Sequence, residues 1–403
     1  MSGARTSERR VWTRLSAARS PLQSPAWYDA AGWGGRVRLL TGPAGRAAVP
    51  AWTVERADRP HYFHDPIEIL SGERERTFTA DVPELTEGVR RATGRASVLV
   101  TVSPYGYRGG AFTGDPSSAA GADAGEMAGL VGRLLEHAAG TGASMLFAHY
   151  LFDEDDAAFI RALTDAGGIR LLAGADAVLD VEWDDMDGYH RALGSSRRSL
   201  RQGRNIPDLR NLHWAEREDK GLTAEHRDVV PLLHATSAGF DPRAPVPEDM
   251  VRAIAEGALP RTLLTVAQPG RPARSAALVL RRADTLYAKF FGSAAPREDY
   301  FPLAYARLIR YAIEHGYRRI EYGGGSHQAK LLRGARLRPA WGVLFVLDPA
   351  LRGRVESFAR TISARKRAHF AGLARQWQVD SLPVHPAFSD QPALSPPRMG
   401  GPE

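Results

Sequence analysis

Apolar positions recur at helical spacing in some stretches and in short β-branched runs in others, and the two patterns alternate along the chain. Over residues 126–137, Met127, Leu130, Val131, Leu134 and Leu135 predict a helix with one buried face. Over residues 303–315, Leu303, Ala306, Leu308, Ile309 and Ile313 predict another. Residues 96–103, 144–150 and 177–183 read as strands, with a helix over 155–165. Residues 262–267, 275–281 and 285–291 read as an antiparallel meander, its turns marked by QPGRP and RAD. Strands over 319–322 and 341–347 and a basic helix over 351–376 follow.

Strand–turn–helix–strand therefore occurs twice, which predicts an α/β protein with mixed sheets, built as two related domains joined near residues 184–191. The predicted boundaries are a flexible N-terminus over 1–24, a first domain over 25–185, a second domain with the cleft over 186–378, and a disordered Pro-rich tail over 379–403. Residues 114–125 are of low complexity and predict a surface loop.

Composition narrows the chemistry. Hydrophobic residues make up 43% of the 403 and charged residues 25%, as in ordinary soluble proteins, and the length suffices for a large core. The absence of cysteine excludes disulfides, thiol catalysis and Cys-based metal sites, and fits a cytoplasmic location. No window approaches a membrane span, and the N-terminus lacks the apolar core of a secretory signal. Fifty-three basic against 46 acidic residues leave a net charge of +7, compatible with RNA or phosphate ligands. Only Lys220, Lys289, Lys330 and Lys366 among those basic residues are lysine. Where arginine is the default cation, a lysine can mark a need for a compact ammonium or a tunable pKa; chance is the alternative.

The candidate chemistry concentrates in residues 287–345. After the strand YAKFFG and its helix, a second strand ends in Gly323, Gly324 and Gly325, followed by HQAKLLRG. Glycines there permit positive φ and close approach of a ligand to the backbone. If Ser326 caps a short helix, His327, Lys330 and Arg333 stay roughly on one side, facing either a ligand or solvent. Strand alternation puts Lys289 on the face of Tyr287 and Phe291, where it lines a groove or snorkels from a sheet edge. Glu321 is the carboxylate best placed for proton transfer, with His327 as its rival. Arg197, Arg198 and Arg201 form a patch suited to phosphate oxygens or to a solvated face. Tyr105 and Tyr107, in PYGYRGG, either stack an acceptor or stiffen a turn. No P-loop, Gly-x-Ser-x-Gly elbow or His-Glu-x-x-His helix occurs.

The segment PYGYRGG, the segment DDMDGYHRALGSSRRSLRQGRN, and the block from the meander to EYGGGSHQAKLLRG come in the order of FemAB-like proteins of the GNAT acyltransferase superfamily. The chain resembles that family over roughly residues 60–350, which implies two tandem GNAT-like domains. The resemblance also implies transfer of an amino acid from aminoacyl-tRNA to a small-molecule or peptide amine, in cell-wall or peptide natural-product synthesis, with no bound cofactor. A coenzyme A thioester is the alternative donor, and a non-catalytic RNA-binding protein on the same fold a second alternative. The superfamily's Arg/Gln-x-x-Gly-x-Gly/Ala pyrophosphate loop is replaced here by SAAPREDYFP. Under this resemblance Lys289, Lys330, Arg333, Gly323 and Gly324 hold the donor, and Glu321, His327 and Lys330 serve catalysis. Tyr105, Tyr107, Arg197, Arg198 and Arg201 hold the acceptor.

Overall fold

The strand-forming runs assemble into one eleven-stranded mixed sheet. In chain order the strands are β1 (Arg38–Thr41), β2 (Ala48–Glu55), β3 (Ser97–Val100), β4 (Met145–Leu151), β5 (Ile169–Asp180) and β6 (His213–Glu218). There follow β7 (Arg261–Ala267), β8 (Ala273–Arg282), β9 (Thr285–Ser293), β10 (Arg319–Gly323) and β11 (Arg336–Val346). Their order across the sheet is β1-β2-β3-β4-β11-β5-β10-β9-β8-β7-β6. The computed structural model describes residues 2–17, 19–71, 78–79, 82–113, 123–193, 213–218, 221–223, 226, 228–239, 241–268, 271–377 and 384–388.

Two neighbouring pairs are parallel, β3–β4 and β9–β10, and each is joined by a helical crossover. These are the two strand–turn–helix–strand units expected from the pattern. The first crossover carries the helix Ala124–Gly140; Leu130, Val131 and Leu134 are wholly buried, so its apolar stripe faces the core. The halves also exchange strands. β5 pairs with β10 of the second half, and β11, last in the chain, enters between β4 and β5. The helix Pro349–Trp377 then packs across β5 and β11, burying Val355, Phe358, Ile362 and Phe370. Long-range pairing of this kind leaves no local trace in sequence.

The terminal segments depart from expectation. Residues 1–24, expected to be flexible, instead hold the helix Ser2–Leu15, and Trp12 and Leu15 are buried in the core. Trp12 donates its indole N–H to Gln23 O at 3.0 Å. These few large apolar side chains outweigh the polar composition around them. In the tail, Phe388 is buried against Phe370, while 379–383 and 389–403 lie outside the described residues. So does most of the low-complexity stretch, 114–122.

Candidate active site

The β9–β10 ladder stops early. Thr285, Leu286 and Tyr287 pair with Arg319, Ile320 and Glu321, and beyond them no β9 residue pairs with β10. The strands splay there, and a cavity of about 1,070 Å³ occupies the opening and extends to the first half. Its wall includes Tyr105, Tyr107, Lys289, Tyr305, His327 and Lys330. Such a cleft at the C-terminal ends of parallel strands is a common place for ligands in open sheets.

Four β-bulges surround it. The register skips Tyr150 on β4, Ala173 on β5, Lys289 on β9 and Tyr322 on β10. All four extra residues line the cavity. A bulge re-aims a side chain but leaves backbone groups without ladder partners, and here other residues satisfy them. Leu172 N donates to Ser363 Oγ at 2.8 Å, and Lys366 Nζ donates to Ala173 O at 2.6 Å and Ile69 O at 2.5 Å. Tyr150 O accepts from Gly109 N at 3.1 Å. Lys330 Nζ donates to Tyr322 O, Gly323 O and Gly324 O at 3.0, 2.8 and 2.9 Å, using all three ammonium hydrogens. Three of the chain's four lysines thus meet at one cavity, and Lys220 lies outside the described residues.

The glycine run is also shaped by this packing. Gly323 and Gly325 have φ near +72° and +73°. A Cβ on Gly323 would sit 3.2 Å from the ring of Tyr107, so the positive φ favours glycine and a side chain would press on that ring. Tyr107 in turn packs edge-on against Phe63 and Tyr150. This loop joins the first half's aromatic turn to the second half's cleft.

Lys289 differs from the other two cavity lysines. The bulge breaks the simple alternation, so its ammonium lies over the rings of Tyr107, Trp27 and Phe290 at 5.1–5.3 Å rather than with Tyr287 and Phe291. Its one hydrogen bond is to Tyr105 O at 2.5 Å. Burial pushes its pKa down to about 7. Lys330 is lowered to about 8, again by burial and with a smaller opposing pull from Asp176, but its hydrogens are committed.

The remaining sequence candidates divide. His327 lines the cavity, and its Nε2–H donates to Ala175 O at 2.9 Å; burial holds its pKa near 3, so it stays neutral. Glu321 is not part of the cavity wall. It is buried between Arg108, with which it forms a hydrogen-bonded ion pair, and Arg338 at 3.2 Å. The two guanidinium charges outweigh desolvation and hold its pKa below the usual carboxylate value. A carboxylate so stabilised is a poor proton acceptor, and Glu321 serves a network that also joins Arg338 to Asp176 at 2.7 Å and to Glu154 at 3.3 Å. Arg333 stacks on Phe301 and Tyr305 at 4.4 and 4.6 Å and donates to Ala329 O at 2.7 Å. It therefore sits behind the wall and not on the side shared by His327 and Lys330. Arg197, Arg198 and Arg201 lie outside the described residues.

Sequence patterns did not single out Tyr150, Asp176, Tyr305, Tyr322 or Lys366 as cavity residues. The rarity of lysine was the one signal that could have flagged Lys366. The helix after β9 also starts earlier than expected, at Pro296, and continues through a π-helical stretch, Pro302–Arg307, into Leu308–Glu314. Glu298 and Asp299 occupy its first turn, and Asp299 is fully buried against Arg274 and Ser275. Carboxylates there disfavour an anionic pyrophosphate. No group of His, Asp and Glu among the described residues is arranged to hold a metal.

Two strand–helix–strand units thus share one mixed sheet, with a large cleft where β9 and β10 splay. Residues 118–378 match the FemAB-like family, described as peptidoglycan biosynthesis/recognition, and the chain belongs to that family. The solved structure of FemX is 12% identical, with a TM-score of 0.53 over 88% of this chain and 99% of that one. The C-terminal domain (DUF2156) of a putative lysylphosphatidylglycerol synthetase from Agrobacterium fabrum is also 12% identical, with a TM-score of 0.51 over 89% and 97%. At these identities the likeness is one of fold. No curated protein matches the sequence.

Proposed function

We propose that this protein is an aminoacyltransferase that moves an amino acid from the ester of aminoacyl-tRNA to an amine, in the cytoplasm, forming an amide in peptidoglycan biosynthesis. Lys289 carries the proposal: a lysine re-aimed by a bulge into a ring-lined cleft, with a pKa brought to about 7. Aminolysis of an ester needs alignment, a route for the amine proton and stabilisation of the oxyanion. The acceptor nitrogen attacks the ester carbonyl, the C–N bond forms and the C–O bond to the ribose breaks. Neutral Lys289 takes the proton from the attacking amine and returns it to the departing ribose oxygen. The Tyr322 hydroxyl, buried at the cavity wall without a hydrogen-bond partner, is the donor available to the tetrahedral oxyanion. Tyr105 and Tyr107 line the acceptor side, Lys330 shapes the glycine loop, and Arg197, Arg198 and Arg201 contact the RNA backbone or an anionic acceptor.

The first turn after β9 favours this donor over a coenzyme A thioester, because a pyrophosphate at that helix start would meet the exposed carboxylate of Glu298. Purified protein, a mixed pool of charged tRNA and a cell extract, followed by mass spectrometry, should yield a new amide product. RNase treatment of the donor should abolish it. Undiminished turnover after RNase, or turnover with acyl-coenzyme A alone, would sink the tRNA assignment.

A further inference from the structure

Asp176 is a buried acid at the cavity whose second oxygen is unused. It lies on β5 next to Ala177, the residue paired with Gly323, and is 4% exposed. Its Oδ2 accepts from Arg338 Nη2 at 2.7 Å, whereas its Oδ1 is buried with no hydrogen-bond partner. Buried carboxylate oxygens are rarely left so, because the lost hydration is not recovered. The cavity's other acids are committed or exposed. Glu68 binds Arg90 at 3.0 Å, Asp241 accepts from Tyr62 N at 3.0 Å, and Glu87 is exposed. Lys330 is close enough to feel the charge of Asp176, yet its three hydrogens go to carbonyl oxygens.

We infer that Asp176 recognises a substrate ammonium group, which donates to Oδ1 when bound. The inference rests on the transferase reading, since it names part of the substrate that the cleft takes. Two substrate groups share this chemistry: the α-ammonium of an aminoacyl donor and the amine of the acceptor before it loses its proton. A carboxylate–ammonium hydrogen bond in a secluded site discriminates strongly against a neutral isostere.

The test measures binding by calorimetry on the full chain, with two matched probe pairs. Alaninamide and lactamide differ only in an α-ammonium against a hydroxyl. Nα-acetyllysinamide and Nα-acetylnorleucinamide differ only in a terminal side-chain amine. The wild-type chain should bind the ammonium member of one pair roughly tenfold or more tightly than its neutral mate. The pair that discriminates identifies the source. Asp176→Asn, which keeps an oxygen for Arg338, should erase the difference while thermal unfolding remains cooperative. Equal binding within both pairs by the wild-type chain overturns the inference without any variant, and so does discrimination retained by Asp176→Asn. No transfer is needed for these measurements. Absent turnover with discrimination intact therefore counts against the donor assignment, and absent discrimination counts against Asp176.

Discussion

Replacing Lys289 by arginine keeps a cation on the β9 bulge and removes its capacity to release a proton near neutrality. The displacement of the native pKa from 10.5 to about 7 is caused by desolvation. It corresponds to about 5 kcal/mol against the charged form, an upper bound because the side chain keeps some exposure. With that pKa, about a tenth of Lys289 is neutral at pH 6, half at pH 7 and nine-tenths at pH 8. For a proton-accepting lysine, kcat/KM should therefore rise about tenfold from pH 6 to pH 8 and then level off. An ordinary lysine would give a rise of about a hundredfold over the same range and continue upward. Lys289→Arg should lower kcat/KM by about a hundredfold or more and abolish the inflection. The linkage supplies a second readout. Between pH 7 and 10.5 the unfolded chain carries a proton on this residue that the folded chain lacks, so native stability rises with pH across that window. Lys289→Met should flatten this slope in urea titrations. A wild-type profile without an inflection near 7, or an arginine variant that preserves it, would refute the assignment.

Acid should loosen the protein through its buried neutral histidines. His149 and His327 are held by burial at about 4 and about 3, below the ordinary 6.5, so their contribution is complete above pH 6.5 and is lost as pH falls toward those values; urea midpoints at pH 7 and pH 4.5 check this. Arg338→Leu removes the shared partner of Asp176, Glu321 and Glu154 and should cost about 3–5 kcal/mol, read from the denaturant midpoint. Gly323→Ala forces a side chain at φ near +72° against Tyr107 and should cost about 1–2 kcal/mol, with turnover falling as the loop shifts. Lys330→Met strands the carbonyls of Tyr322, Gly323 and Gly324 and should cost about 3 kcal/mol or more in thermal unfolding; an unchanged Tm with weakened donor binding would instead restore Lys330 to a ligand-binding role.

Local pattern carried the repeated strand–helix–strand units. The helix Ala124–Gly140 follows from apolar spacing, the meander β7–β8–β9 follows from its turn residues, and the long helix Pro349–Trp377 reads as a basic helix, each from its own residues. Motif order carried the family, and the scarcity of lysine pointed toward the cleft before any fold was known. The N-terminal helix was missed because Trp12 and Leu15 are sparse in a polar stretch, and their burial depends on partners distant in the chain. Glu321 looked like a free acid because Arg108, from a loop some two hundred residues earlier, pairs with it only after the halves meet.

The amino-acid order alone thus determined the element types within the two strand–helix–strand units, which follow from near-neighbour spacing, and the family, which follows from motif order. The strand exchange that puts β11 between β4 and β5, and the bulges that turn Tyr150, Ala173, Lys289 and Tyr322 into one cavity, belong to the tertiary structure. A bulge is a one-residue slip between paired strands. It exists only relative to a partner, and these partners meet only when both halves of the chain have folded onto a single sheet.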